Sequence, residues 1–485
     1  MASESSEFDV IVIGGGPVGE NAAQYAIQGS DRTAVIVEHE LLGGECSYWA
    51  CMPSKALLRP SEVLDTARNM PGVKELVGDQ PLDADAVLAR RESYTHGLDD
   101  SSQITWAESA GIAVIRGHGR ITGVKTVEVD GRTLTARHAV VLATGTTASV
   151  PNTPGLRDAQ PWISRDATNI HETPGHIAII GGGVVASEAA TWLLSLGAKV
   201  TMIVRGSSLL AGSEPFAGEL VADALQQRGA TIMLDASVES VSRENPAATG
   251  IGRIHGGPVT LVVDGSEVHG GEITADEVLV AAGRTPASAD LGLSSLGLED
   301  GHSIDVDDHL SVPGHDWLYA VGDVNGRAPL THMGKYQGRV AGDVIAARAE
   351  GKTLDHKRFR ATADHGQIPQ VVFTPLEVAS VGLTEAKARE AGIDVEIVAQ
   401  DIAVAGSSLQ QDDYSGRAQL VIDGATDTIV GATFVGPGVA ELVHAATIAV
   451  VGKVKLDDLW HAVPSYPTVS EIWLRLLEAR RTADH

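Results

Sequence analysis

Two cysteines, Cys46 and Cys51, stand five residues apart in the segment GGECSYWACMPSK at positions 43–55, and the 485-residue chain has no others. Thiols so placed can do redox chemistry, bind a metal, or pack inertly. A structural zinc site wants four ligands, and no CxxC pair or nearby histidine pair completes a set here. A five-residue offset brings the thiols within bridging reach where the segment is a distorted helix start. A helix N-terminus lowers the thiol pKa and stabilises the thiolate. On spacing alone, two buried and inert cysteines stay open as the alternative.

Two glycine-rich turns carry a second chemistry. Gly14, Gly16 and Gly19 satisfy G-x-G-x-x-G between an apolar, β-branched run at 8–14 and a helical pattern at 17–27. The first glycine permits the tight turn, the second lets backbone approach a pyrophosphate, and the third lets helix and strand pack closely. The helix N-terminus favours the phosphate charge. A following strand at 33–38 ends on Glu38, whose carboxylate can accept hydrogen bonds from ribose hydroxyls. The unit recurs with a strand at 176–181, Gly181, Gly183 and Ala186 in the turn, a helix at 183–196 and a strand at 199–205. Gly14 to Glu38 and Gly181 to Arg205 both span 24 positions. Two dinucleotide-binding domains follow. In the second, Val204 stands where an acid would favour NADH, and Arg205 comes next. A guanidinium there can pair with a 2′-phosphate, so the expected donor is NADPH, with NADH as the alternative and a solvent-facing arginine as the plainer reading.

These sites need a scaffold, and the bulk properties bound it. Hydrophobic residues make up 43%, charged residues 20% and aromatics 4%, the balance of a globular chain whose core rests on Val, Ile, Leu and Ala. The net charge of -27 repels phosphate backbones, so nucleic acid is not an expected partner. Residues 1–9 lack the basic and apolar regions of a signal peptide, and no apolar run approaches the roughly 20 residues that span a bilayer. A cytoplasmic protein without a membrane partner is expected.

Asp-Gly pairs at Asp130-Gly131, Asp264-Gly265 and Asp423-Gly424 read as hairpin signals between strand-like runs. The C-terminal region, from about 355 onward, mixes strands at 370–373, 418–422 and 429–435 with helices at 384–391, 439–451 and 469–481, and carries no glycine fingerprint. A proline-containing stretch at 150–161 reads as a linker. The expected fold is α/β: two Rossmann-like doubly wound nucleotide-binding domains plus a C-terminal α+β domain.

The cysteine segment resembles the active-site disulfide of the flavoprotein disulfide reductases, the family of dihydrolipoyl dehydrogenase, glutathione reductase and mercuric reductase. The resemblance covers nearly the whole chain. Ala143-Thr144-Gly145 is similar to the turn that closes the family's first nucleotide module, and Ala282-Gly283-Arg284-Thr285-Pro286 to its return from the NAD(P)H domain. Tyr319-Ala-Val-Gly322-Asp323 resembles its second FAD motif, where Asp323 would bond the ribityl chain. The resemblance implies FAD, bound through residues 1–155 and 286–354, with NAD(P)H on 156–285 and homodimerisation through 355–485. It implies a disulfide between Cys46 and Cys51, with Cys51 nearer the flavin and Cys46 the exchanging thiol. Lys55 and Glu188 match the ion pair beside flavin N5, where an ordinary surface pair is the alternative. Each active site would be closed by the partner subunit.

One departure bears on the acceptor. Members that reduce thiol substrates place a histidine before Pro-Thr near the C-terminus, with a glutamate after it. Here Tyr466 precedes Pro467-Thr468, Glu471 holds its place, and His461 lies five residues before Tyr466. A tyrosine with a pKa near 10 is a poor proton shuttle at neutral pH. Mercuric reductases resemble this chain in having tyrosine there, but they add a C-terminal cysteine pair, and no cysteine follows Cys51. Tyr48 and Trp49 replace smaller family residues and either narrow access to Cys46 or pack. The expected reaction runs from NADPH to FAD, and from FAD either to the cysteine pair or directly to a small-molecule acceptor, ranked quinone-like or metal ion first and small disulfide or lipoyl group second. A flavin-binding redox sensor is the reading from another class.

Overall fold

The computed structural model describes residues 5–265 and 271–483; the first residues of the acidic N-terminal stretch and the last two of the chain lie outside that range. Its contacts divide the chain into two compact units. One is Met1–Pro53, Glu92–Ser149 and Arg284–Asp364, and the other is Ser54–Arg91, Val150–Gly283 and His365–His485.

The first unit is built on a sheet whose parallel strands run in the order His315–Ala320, Arg132–Leu142, Glu7–Ile13, Ala34–Glu38, Ile112–Arg116. Glu7–Ile13 is central, with Val12 opposite Ile36 on one side and Val141 on the other. Its side chains alternate between two cores, as a strand covered on both faces requires. Val10 and Val12 join Ala22, Ala26, Val340 and Val344 on one face, while Phe8, Ile11 and Ile13 join Val35, Val37 and Val140 on the other. Helix Pro17–Ile27 covers the first face with helix Thr331–Ala349. Small residues let these helices approach: a Cβ on Gly338 would lie 2.6 Å from the Val18 carbonyl oxygen. The Asp130-Gly131 signal is a true two-residue turn between Thr126–Val129 and Arg132–Leu142, with φ positive at both positions.

The second unit holds a smaller parallel sheet in the order Thr231–Met233, Lys199–Ile203, His176–Ile180, Glu277–Val280. Trp162 and Trp192 are buried in its largest core. A meander of Ala236–Arg243, Val259–Gly265 and Gly271–Ala275 lies beside it. Here the expectation shifts: Asp264 and Gly265 are the last residues of a strand, and the connection after them, 266–270, lies outside the described residues.

The C-terminal part of this unit is a five-stranded antiparallel sheet: Pro369–Val372, Glu377–Gly382, Thr428–Gly436, Arg417–Asp423, Val395–Asp401. Asp423-Gly424 opens the connection between two of these strands. Helices Leu442–Gly452 and Glu471–Ala483 pack on it through Leu442, Ala446, Ile472 and Leu476. The helix expected at 439–451 starts three residues later, after Val439 and Ala440 have entered a turn. Ile448 and Val451, on the same helix, remain more than half exposed. No helix among the described residues is long and apolar enough to cross a membrane.

Candidate active site

The two thiols are brought together by a break in the helix. Gly43 and Gly44 both have positive φ, 107° and 57°, conformations that favour glycine. The chain then makes a short helix, Gly44–Tyr48, pauses at Trp49 and Ala50, and restarts as Cys51–Arg68. Cys46 therefore sits in the short helix and Cys51 opens the long one, where unpaired N–H groups favour a thiolate. The side chains interact: a hydrogen bond with Cys51, then burial, pushes the Cys46 thiol well above its ordinary range. The two thiols are therefore within interaction distance of each other and are not two unconnected packing cysteines. They are not joined in a disulfide here. Thr331 Oγ1, from the N-terminus of helix Thr331–Ala349, lies 3.2 Å from Cys51 Sγ. Tyr48 and Trp49 are buried and meet edge to face, 5.8 Å between ring centroids. Burial pushes the Tyr48 hydroxyl up to about 12.

In the first unit the glycine turn forms a cradle that side chains would fill. A Cβ on Gly14 would lie 2.4 Å from the Ala143 carbonyl oxygen, and one on Gly19 2.0 Å from the Gly14 oxygen. Gly16 faces open space. Glu38 is buried and accepts hydrogen bonds from the N–H groups of Gly15 and Glu40, each at 2.7 Å, which fixes the carboxylate at the strand end. Each oxygen retains a lone pair for a ribose hydroxyl. Thr144 Oγ1 is buried without a hydrogen-bond partner among the described residues, the signature of a group awaiting a ligand. Gly145 has φ 72°. Asp323 Oδ2 accepts from Thr146 Oγ1 at 3.0 Å, and Thr146 in turn accepts from Arg284 Nε at 2.6 Å. Arg284 thus braces the Asp323 loop from within the first unit. A dinucleotide with a flavin fits this donor set.

In the second unit a Cβ on Gly181 would lie 2.3 Å from the Ala281 carbonyl oxygen, and Gly183 is open, repeating the first cradle. Val204 is buried against Gly182, and Arg205 is exposed. Lys55 donates to Glu188 Oε2 at 2.7 Å, and the Phe373 N–H donates to Glu188 Oε1 at 3.0 Å. Lys55 Nζ also stands 5.0 Å from the Phe373 ring centroid. Glu188 is buried and the Lys55 side chain is 40% exposed, so the pair is half-buried. Lys55 follows Cys51 by one helical turn.

The C-terminal residues do not form a paired acid and base. Tyr466 is 74% exposed and His461 is exposed. Glu471 is buried, accepting from the Gly406 N–H at 3.0 Å and from Arg475 at 2.6 Å. Sequence reasoning missed Thr331 and Arg475, whose roles come from contacts rather than motifs. Among the described residues no group of three or more His, Cys, Asp or Glu side chains could hold a metal.

Comparisons with known proteins agree with this geometry. Residues 8–338 match the family Pyridine nucleotide-disulphide oxidoreductase, and residues 368–476 match its dimerisation domain. Mercuric reductase of Staphylococcus aureus is 27% identical over 471 residues, covering 97% of this chain and 82% of the relative. Dihydrolipoyl dehydrogenase of Chlorobaculum tepidum is 32% identical over 478 residues, covering 96% of each. Among solved structures, the Cu(II) complex of the HOCl-induced flavoprotein disulfide reductase RclA from Escherichia coli shares the fold, with a TM-score of 0.80 at 22% identity over 98% of this chain and 99% of that one. The chain belongs to the pyridine nucleotide-disulphide oxidoreductases, FAD-dependent enzymes that draw electrons from NAD(P)H and carry a dimerisation domain at the C-terminal end.

Proposed function

We propose that this enzyme passes electrons from NADPH to a quinone-like or metal-ion acceptor by way of Cys46 and Cys51. FAD, when bound, supplies the step from hydride to thiol chemistry. Gly14, Gly16, Gly19, Glu38, Thr144, Gly145 and Asp323 would hold it, with Arg284 bracing the loop. Gly181 and Gly183 would take the pyrophosphate of the pyridine nucleotide, and Arg205 its 2′-phosphate. Lys55 and Glu188 form the positioning pair. Cys51 carries the thiolate of the reduced pair, and Cys46 keeps the proton.

The observation that carries the acceptor reading is the residue set at the C-terminal acid–base position. Attack on a disulfide needs a Cys46 thiolate, and so a base to take the Cys46 proton. No imidazole holds the family's position for removing that proton, since Tyr466 occupies it and Glu471 is engaged with Gly406 and Arg475. A quinone or an oxidising metal ion needs electrons and no thiolate nucleophile. The name mercuric reductase among the relatives supports a metal ion within this class. The homodimer would bring Tyr466 to the partner's site.

Steady-state NADPH oxidation by the FAD-loaded protein against benzoquinone, metal salts, lipoamide and glutathione disulfide tests the reading. Quinone or metal ion should be turned over far better than either disulfide. Tyr466→His should raise disulfide turnover and leave quinone turnover nearly unchanged. Lipoamide rates in the wild type equal to those of its best quinone would overturn the ranking.

A further inference from the structure

A cleft of about 470 Å3 lies in the first unit between helices Pro17–Ile27, Ser101–Ser109 and Thr331–Ala349. Its lining includes Glu20, Gln24, Trp106, Lys335 and Arg339. Thr331, Lys335 and Arg339 recur at four-residue spacing, so they form one column along their helix. The top of that column touches Cys51 through the Thr331 hydroxyl. The next residue down, Lys335, is close enough for its charge to act on both Cys46 and Glu20. Glu20 in turn acts on Tyr48, two residues from Cys46. The helix column therefore links the thiol pair to the cleft, and Glu20 stands on the cleft's wall.

Glu20 lies in the first turn of helix Pro17–Ile27, where a carboxylate would complement the helix dipole, yet its side chain is enclosed at the cleft. Its Oε1 is buried without a hydrogen-bond partner among the described residues. Burial pushes its pKa up to about 7, against the pull of Lys335. The other groups around it are the Arg339 guanidinium on the same helix as Lys335, the Tyr25 hydroxyl on its own helix, the Tyr48 hydroxyl from the cysteine segment, and the uncharged Asn21, Gln24, Gln103 and Trp106. A carboxyl group so placed is protonated in about half of the molecules at pH 7 and can act as an acid there.

We propose that Glu20 is the acid of this site, handing its proton to an acceptor in the cleft as Cys46 and Cys51 close to a disulfide. The inference rests on the quinone reading above. The balance is complete. Reduced protein holds Cys46 as thiol and Cys51 as thiolate. Forming the S–S bond releases two electrons and the Cys46 proton. A quinone takes both electrons, that proton and the Glu20 proton, and leaves as hydroquinone. Glu20 remains as carboxylate and regains a proton from water. A bare oxidant such as ferricyanide takes electrons alone and has no use for Glu20.

The test compares kcat/KM for benzoquinone and for ferricyanide in FAD-loaded wild type, Glu20→Gln and Glu20→Asp, at pH values either side of about 7. In the wild type the quinone value should fall as pH rises through that point, while the ferricyanide value stays level. Glu20→Gln should lower the ratio of quinone to ferricyanide by about 10²-fold at low pH, the lower end of what general acids contribute, and should erase the break. Glu20→Asp should restore the break. Infrared titration should show a protonated-carboxyl carbonyl stretch near neutral pH that Glu20→Gln removes. An unchanged ratio and break in Glu20→Gln, with the wild type still reducing quinone, overturns this inference alone. A parallel loss with both acceptors also overturns it, since it marks a structural role. A wild type that reduces ferricyanide and no quinone overturns the acceptor reading together with it.

Discussion

The Thr331 hydroxyl lies 3.2 Å from Cys51 Sγ, although 280 residues separate the two in the chain. It is placed to donate a hydrogen bond to the thiolate of the reduced pair. A hydrogen bond to a charged group contributes about 1.5–3 kcal/mol, or roughly one to two pH units on the thiol. Thr331→Ala should therefore raise the pH at which the long-wavelength absorbance between Cys51 thiolate and oxidised flavin develops. Thr331→Ser should restore it. An anaerobic pH titration of the two-electron-reduced protein measures the midpoint, and an unmoved midpoint in Thr331→Ala would remove the hydroxyl from the site.

The two thiols should separate cleanly by substitution. Cys46→Ser leaves Cys51 at its helix N-terminus beside Thr331 and should keep the long-wavelength band. Cys51→Ser should abolish it. Retention of the band in Cys51→Ser would mean that the roles are reversed.

Coenzyme preference should follow Arg205, which is exposed at the end of the second nucleotide module's strand. Losing a charge-assisted phosphate contact costs on the order of 1.5–3 kcal/mol. Arg205→Ala should raise KM for NADPH by about 10-fold or more and leave KM for NADH nearly unchanged. Equal changes for both would count against the assignment.

Stability of the first unit should depend on Asp9. This buried carboxylate accepts from Arg137 Nε and Nη2, both at 2.7 Å, and from the Thr33 N–H at 2.7 Å. The Arg137 hydrogen bonds hold its pKa far below the usual carboxylate range. A lowered pKa in the folded state means that the stabilisation is present above the unfolded value of 3.8 and is lost as pH falls further. Asp9→Asn should cost about 2 kcal/mol at neutral pH. The gap in urea midpoint between the two proteins should narrow below about pH 4, and a gap constant with pH would mean that the charge is not its source.

The parts of this molecule that are local in sequence were legible there. Each glycine turn sits between a strand and the helix it starts, so Gly14 to Glu38 and Gly181 to Arg205 announce themselves within 24 residues. The C-terminal elements were also visible, with ends off by a few residues where side-chain pattern and backbone turn compete. Contacts closed over long distances were not visible. Thr331 against Cys51, Phe373 N–H on Glu188 and the Glu20–Lys335 wall of the cleft each join segments more than a hundred residues apart. The Tyr466 substitution was plain in the sequence, but the engagement of Glu471 by Gly406 and Arg475 depends on how the chain folds back.

The order in which the first unit is threaded also governs its birth on the ribosome. Its central strand, Glu7–Ile13, emerges first, yet the strand His315–Ala320 and the helix Thr331–Ala349 that finish its sheet and cover come more than 300 residues later. At roughly 5–20 residues per second, that strand waits on the order of 15–60 s for its last partners. During the wait its apolar residues and strand edges are open to other nascent chains. The glycine turn at 14–19 is thus translated long before the strand that leads to Asp323 joins the same sheet.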